Sequence, residues 1–189
     1  MRSVRELQMP LPPSISMRSI ISFLLVVPAF FAQAQQFPTI TGETVNGTSI
    51  TLPQDGQKKY TIIGLAYSPK ASEALESWLE PAYMRFVAQY GLFAGEYDAD
   101  LFFVPVFVGL NKTAYEPTIK KFRQSATPEV EEKVVFSKND MEPIREALDL
   151  KEKDVPYFFV LDSSGKILHR DKGAFTEDKL EAFEEVLMR

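Results

Sequence analysis

Two continuous apolar runs fix most of what this chain can become. "KKYTIIGLAY" (58–67) and "DLFFVPVFVG" (100–109) lack the alternation of a half-solvated strand. They suit strands buried on both faces, and therefore a sheet covered on two sides. Between them Leu75, Trp78, Leu79, Ala82, Tyr83, Phe86, Val87 and Tyr90 recur at i, i+3, i+4 spacing, the period of a helix with one apolar face. Strand, helix, strand predicts a parallel pair joined by a right-handed crossover. Pro81 falls inside the helical run, so a kink or break is expected near Glu80.

The remaining chain extends this pattern. "FPTITGETVNGTSITLP" alternates around Asn46-Gly47, a strong hairpin signal. "AYEPTIKKFRQSA" reads as a helix, "KVVFS" as a short third strand, and "NDMEPIREALDL" as a helix opening near Asp140. Pro105 suggests a bulge or kink in the second run. "VPYFFVLDSSGKILHRDKG" gives two strands joined at Asp162–Gly165, and "TEDKLEAFEEVLMR" a closing helix with Thr176 as N-cap. The expected fold class is α/β. Central strands are parallel, a C-terminal antiparallel hairpin joins the same sheet, an extra hairpin precedes it, and helices cover both faces.

Composition removes whole classes of function. The 189 residues contain no cysteine and one histidine. Disulfides, thiolate zinc sites and every thiol mechanism are excluded, as is a histidine-rich metal site. No metal and no cofactor is expected. A net charge of −5 without a basic stripe argues against nucleic acid as a partner.

Residues 1–34 read as a leader and signal peptide. Arg18 stands before a largely apolar stretch, Ile20 to Phe31, and Ala32-Gln33-Ala34 offers a small-x-small cleavage site. The polar, Pro-containing stretch before Met17 makes Met17 a plausible start. Cleavage is expected after Ala34, with residues 35–189 as the folded domain, a secreted or periplasmic location, and no stable membrane span after cleavage.

The segment "DVPYFFVLDSSGKILHRDKGAFTEDKLEAF" is similar to the thioredoxin superfamily, in particular its extracytoplasmic thioredoxin-like and peroxiredoxin-like branches. "FPTITGETVNGTSITLP" resembles the leading hairpin of that branch. The resemblance covers essentially residues 37–189 and implies a three-layer α/β/α sandwich. It implies that Ser68-Pro69-Lys70-Ala71 stands where the family keeps its Cys-x-x-Cys, with Tyr67 where an aromatic residue commonly precedes it. It also implies that Pro156 matches the family's cis-proline, so that Val155–Pro156 is expected cis. A helix N-terminus would favour a thiolate at this place. With no cysteine, thiol–disulfide exchange and thiol peroxidase chemistry are both impossible.

The remaining candidates are weighed on their residue types. Ser68-Pro69 suits a helix N-cap followed by proline at the first helical position. Activation of Ser68 by Lys70 is disfavoured, because residues two apart at a helix start do not face each other. His169 is expected on the surface and Trp78 in the core. Tyr67, Ser68, Lys70, Val155 and Pro156 are the expected contact surface for an unidentified protein or peptide partner, in a non-catalytic assembly or chaperone-like module. A second resemblance, carried by "GLAYSPKASEALESW" and "GKILHRDKGAFTEDKL", is to mitochondrial ATP-synthase assembly factors with a thioredoxin-like domain. A non-thiol hydrolase is the enzymatic alternative.

Overall fold

The computed structural model describes residues 35–54, 58–88, 91–92 and 95–189. The expected leader and its cleavage site lie outside them. The elements run β1 (Ile40–Glu43), β2 (Ser49–Leu52), β3 (Tyr60–Ala66), α1 (Pro69–Phe86), β4 (Ala99–Pro105), a 3-10 turn (Gly109–Ala114), α2 (Tyr115–Ser125), α3 (Pro128–Glu131), α4 (Met141–Leu148), β5 (Tyr157–Asp162), β6 (Ile167–Lys172) and α5 (Glu177–Leu187).

The central sheet has the order β4-β3-β5-β6. β3 and β4 are parallel, with Ile62 opposite Leu101, while β5 pairs antiparallel with both β3 and β6. Every residue of β3 is buried, as its unbroken apolar run requires. Alternate β3 residues serve different layers. Ile62 and Ala66 join α1 and α5 around Trp78 and Phe183, whereas Ile63 and Leu65 pack with Met141, Ile144 and Leu148 of α4. Gly64 faces the first layer, and a Cβ there would lie 2.7 Å from the Phe158 ring and 2.9 Å from the Leu75 side chain. The missing side chain lets α1 approach the sheet.

"KVVFS" runs beside β4 in parallel, but as separate bridges at Phe103–Val134 and Val106–Ser137. The cause is Pro105. Val135 N–H donates to Phe103 O at 2.8 Å and Ser137 N–H to Pro105 O at 3.1 Å, but Pro105 has no N–H to complete the ladder between them. On its far side this segment takes up the hairpin β1–β2, through Glu43 N–H to Phe136 O at 3.0 Å and Phe136 N–H to Glu43 O at 2.8 Å. The hairpin turn is longer than a two-residue Asn-Gly turn. Thr44 N–H donates to Thr48 O at 2.9 Å, and Gly47 takes φ +80°.

Helix α1 passes through Pro81 as one element, so of the kink or break expected near Glu80 the break does not occur. Proline inside a helix costs about 3 kcal/mol, which the buried Trp78, Ala82, Tyr83 and Phe86 around it offset by packing. The expected cap of α1 forms, with Ser68 Oγ accepting from Ala71 N–H at 3.1 Å, and α4, which opens where expected, is capped by Asp140 Oδ1 accepting from Glu142 N–H at 3.2 Å. Thr176 precedes α5 without a side-chain cap bond. Among the described residues no helix is long and apolar enough to cross a membrane.

Candidate functional site: the junction of the first central strand and helix

β3 delivers Tyr67 and Ser68 directly into α1. Ser68 is extended (φ −141°, ψ 159°), and proline follows as the first helical residue, so the helix starts where the sequence pattern places it. Ser68 is buried at 5% exposure, with its hydroxyl oxygen engaged by Ala71 N–H. That geometry makes it a structural cap. Lys70 is exposed and Ala71 fully buried, so the residue that the resemblance aligns with the second cysteine lies in the core.

Tyr67 points inward, with 3% exposure, into the layer built on α4. Its hydroxyl donates to Glu152 O at 2.9 Å, while Glu152 N–H donates to the Tyr157 hydroxyl at 2.6 Å. Burial, reinforced by the neighbouring Tyr157, pushes the Tyr67 phenol up, against the pull of Arg145. Two aromatic hydroxyls therefore hold both backbone groups of one residue in the loop that leads to Val155 and Pro156. Sequence reasoning missed Tyr157 and Glu152, because the strand pattern marks Tyr157 only as apolar.

Val155 is half-buried and Pro156 buried. Leu65 lies opposite Tyr157 in the β3–β5 register, so Tyr67 and Pro156 do share one end of the sheet. The Val155–Pro156 bond, expected cis, is not: among the described residues Leu52–Pro53 is the cis peptide. Trans is the default of an X–Pro bond by about 0.5–1 kcal/mol. Pro156 O here accepts from Gly173 N–H at 2.8 Å. Of the five expected contact residues, three are buried and Val155 is half-buried. Lys70 alone is exposed.

Trp78 is fully buried, as expected, with its ring 4.1 Å from Phe158 and 5.4 Å from Phe183 and its Nε1–H donating to Gly173 O at 3.0 Å. His169 is not the surface residue expected. It is half-buried with its ring edge-on to Phe183 at 5.5 Å, because β6 turns this side chain toward α5. Among the described residues no three His, Asp or Glu side chains cluster as a metal site would need.

Solved structures place the fold. StoA from Bacillus subtilis is similar at TM-score 0.50 and 19% identity, over 78% of this chain and 97% of that one. A putative thiol:disulfide interchange protein DsbE from Chlorobium tepidum is similar at 0.51 and 15%, over 82% and 94%. The exposed lipoprotein thioredoxin Etrx1 from Streptococcus pneumoniae is similar at 0.51 and 14%, over 78% and 99%. At such identities the likeness concerns the fold, which is thioredoxin-like and here lacks the redox cysteines. No curated protein matches the chain.

A family match goes further. The family described as ATP10 protein matches residues 28–188. The match begins inside the apolar stretch taken for a signal peptide and runs across the expected cleavage point. It overturns the secreted or periplasmic location, since this is a family of mitochondrial ATP-synthase assembly factors. An apolar stretch behind a single arginine satisfied the secretory pattern, but 34 residues of leader carry far less information than 161 matched residues of domain. With its matched region spanning nearly all of the sequence, the chain belongs to the ATP10 protein family.

Proposed function

We propose that this protein is a non-redox assembly factor of the mitochondrial ATP synthase, working by binding a partner protein rather than by catalysis. The supporting observation is the pairing of the family match with the state of the junction. The place of the thiol pair is occupied by a capping Ser68 and a core Ala71. Disulfide exchange needs cysteine sulfur on both partners, and the chain has no cysteine. A serine hydrolase finds no support at the same place, because the Ser68 hydroxyl is buried and already bonded. What the fold retains is a rigid scaffold with loops and helix faces available to a partner.

Affinity purification of the tagged full-length chain from cross-linked mitochondria tests this reading. ATP-synthase subunits should be enriched over a tagged matrix control. Absence of the chain from the mitochondrial fraction, or absence of those subunits from the eluate, would overturn it.

A further inference from the structure

Some cations are met by acids: Lys58 by Asp98 at 3.2 Å, Lys133 by Asp100 at 2.6 Å, Arg85 by Glu184 at 2.5 Å. Others, such as Lys70, Lys153 and Lys166, are not so met among the described residues, and the outward side of the 3-10 turn and α2 gathers several of this kind in one stretch. Lys112, Lys120 and Lys121 are exposed, and none has a carboxylate within ion-pair distance among the described residues. The acid on this helix, Glu116, leans 3.9 Å from Lys138 instead.

The helix has no freedom to turn these groups inward. Tyr115 and Ile119 are buried and Phe122 is half-buried, which directs Lys120, Lys121 and Gln124 outward by helical periodicity. Arg123 donates to the carbonyl of Val45 and ties α2 to the hairpin turn. Leu110, at 93% exposure, stands at the start of the same stretch. A single exposed leucine is ordinary. In the same stretch as Lys112, Lys120 and Lys121, on a chain of net charge −5, it offers an apolar contact next to a run of sequence whose own charge is opposite in sign to that of the whole protein.

We propose that this face, from Leu110 to Arg123, docks an acidic segment of a partner protein. The inference rests on the assembly reading above and gives its partner a chemistry. Complementary charge would steer the encounter and fix its register. The far end of the helix decides between a protein and an anionic lipid surface. Glu129, Glu131 and Glu132 follow α2 directly, and a uniformly negative surface would repel them. A protein segment can be acidic against the lysines and end, or turn basic, before the glutamates.

The full chain should bind a labelled synthetic peptide of alternating Glu and Leu closing in Lys, and binding should weaken as salt is raised. Lys120→Glu with Lys121→Glu should weaken it at least about tenfold and leave the melting temperature unchanged. Lys153→Glu with Lys166→Glu, the same change in net charge elsewhere, should alter it less than about twofold. The proposal is overturned by failure of the peptide to bind, by equal loss in both double variants, or by binding to anionic vesicles without binding to the peptide. In mitochondria the two readings separate. If ATP-synthase subunits still co-purify with the Lys120→Glu/Lys121→Glu chain, the face is wrong and the assembly reading stands. If they never co-purify with the natural chain, the assembly reading fails while the peptide measurement still decides the face.

Discussion

The junction at Tyr67–Ala71 and the face from Leu110 to Arg123 lie at the same level of the chain's organisation, each following the end of a parallel strand. They differ in where their polar groups go. At the junction the Ser68 hydroxyl caps α1, the Tyr67 hydroxyl reaches Glu152 O, and Ala71 is sealed in the core. On α2 the Lys120 and Lys121 side chains have no partner among the described residues and point outward. The first region satisfies its polar groups internally, and the second leaves its charges to solvent. On the proposed reading, the fold keeps the strand–helix junction for stability and places recognition on another element.

The comparison breaks most visibly through the core that supports the junction. Trp78→Ala removes a fully buried ring from between Phe158, Phe175 and Phe183 and leaves Gly173 O without its donor. It should cost about 3–5 kcal/mol in denaturant unfolding. A loss below about 1 kcal/mol would show that α1 does not pack as described. Ser68→Ala comes next. If the hydroxyl is a cap, unfolding should be easier by about 1 kcal/mol while partner capture is unchanged. Tyr67→Phe should cost about 1 kcal/mol through the lost bond to Glu152 and speed hydrogen exchange in the loop before Val155. Partner capture falling without a stability change in either variant would return the functional role to the junction.

A smaller effect tests the turn that closes β5 onto β6. Burial alone would raise the Asp162 carboxyl. Its bonds from the Ser164 hydroxyl and from the Ser164 and Lys166 N–H groups outweigh that and hold it below the usual carboxylate range. A carboxyl whose pKa is depressed in the fold contributes stability above its unfolded pKa. That contribution is lost as pH falls through the folded value. Melting temperature should therefore decline below about pH 4, and Asp162→Asn should flatten that limb. An unchanged acid limb in the variant would remove Asp162 from the explanation.

Much of the fold was legible from the sequence because its largest signals are local. Buried strands read as unbroken apolar runs, and the helix between them as a 3.6-residue period with Ser68-Pro69 at its start. What escaped depends on long-range pairing. Pro105 interrupts the ladder only because "KVVFS" lies against it, and Pro81 is tolerated only because Trp78 and Ala82 hold the helix to the sheet. The candidate site was legible in position but not in exposure. The residues around the motif could be aligned, yet nothing in their order says that Tyr67 turns inward or that Glu152 waits for its hydroxyl. His169 was misplaced for the same reason, since β6 presents alternate side chains to α5. Lys120 and Lys121 gave no signal of their own within their helix, because the absence of ion partners is a property of the folded surface.

The most direct measurement is the amount of fully assembled ATP synthase on native gels in cells lacking this protein, resupplied with its natural, cysteine-free form. Assembly should fall without the protein and be restored by it, with no sulfur nucleophile required. Normal assembly in its absence, or restoration only when cysteines are introduced at Ser68 and Ala71, would contradict a non-redox assembly role.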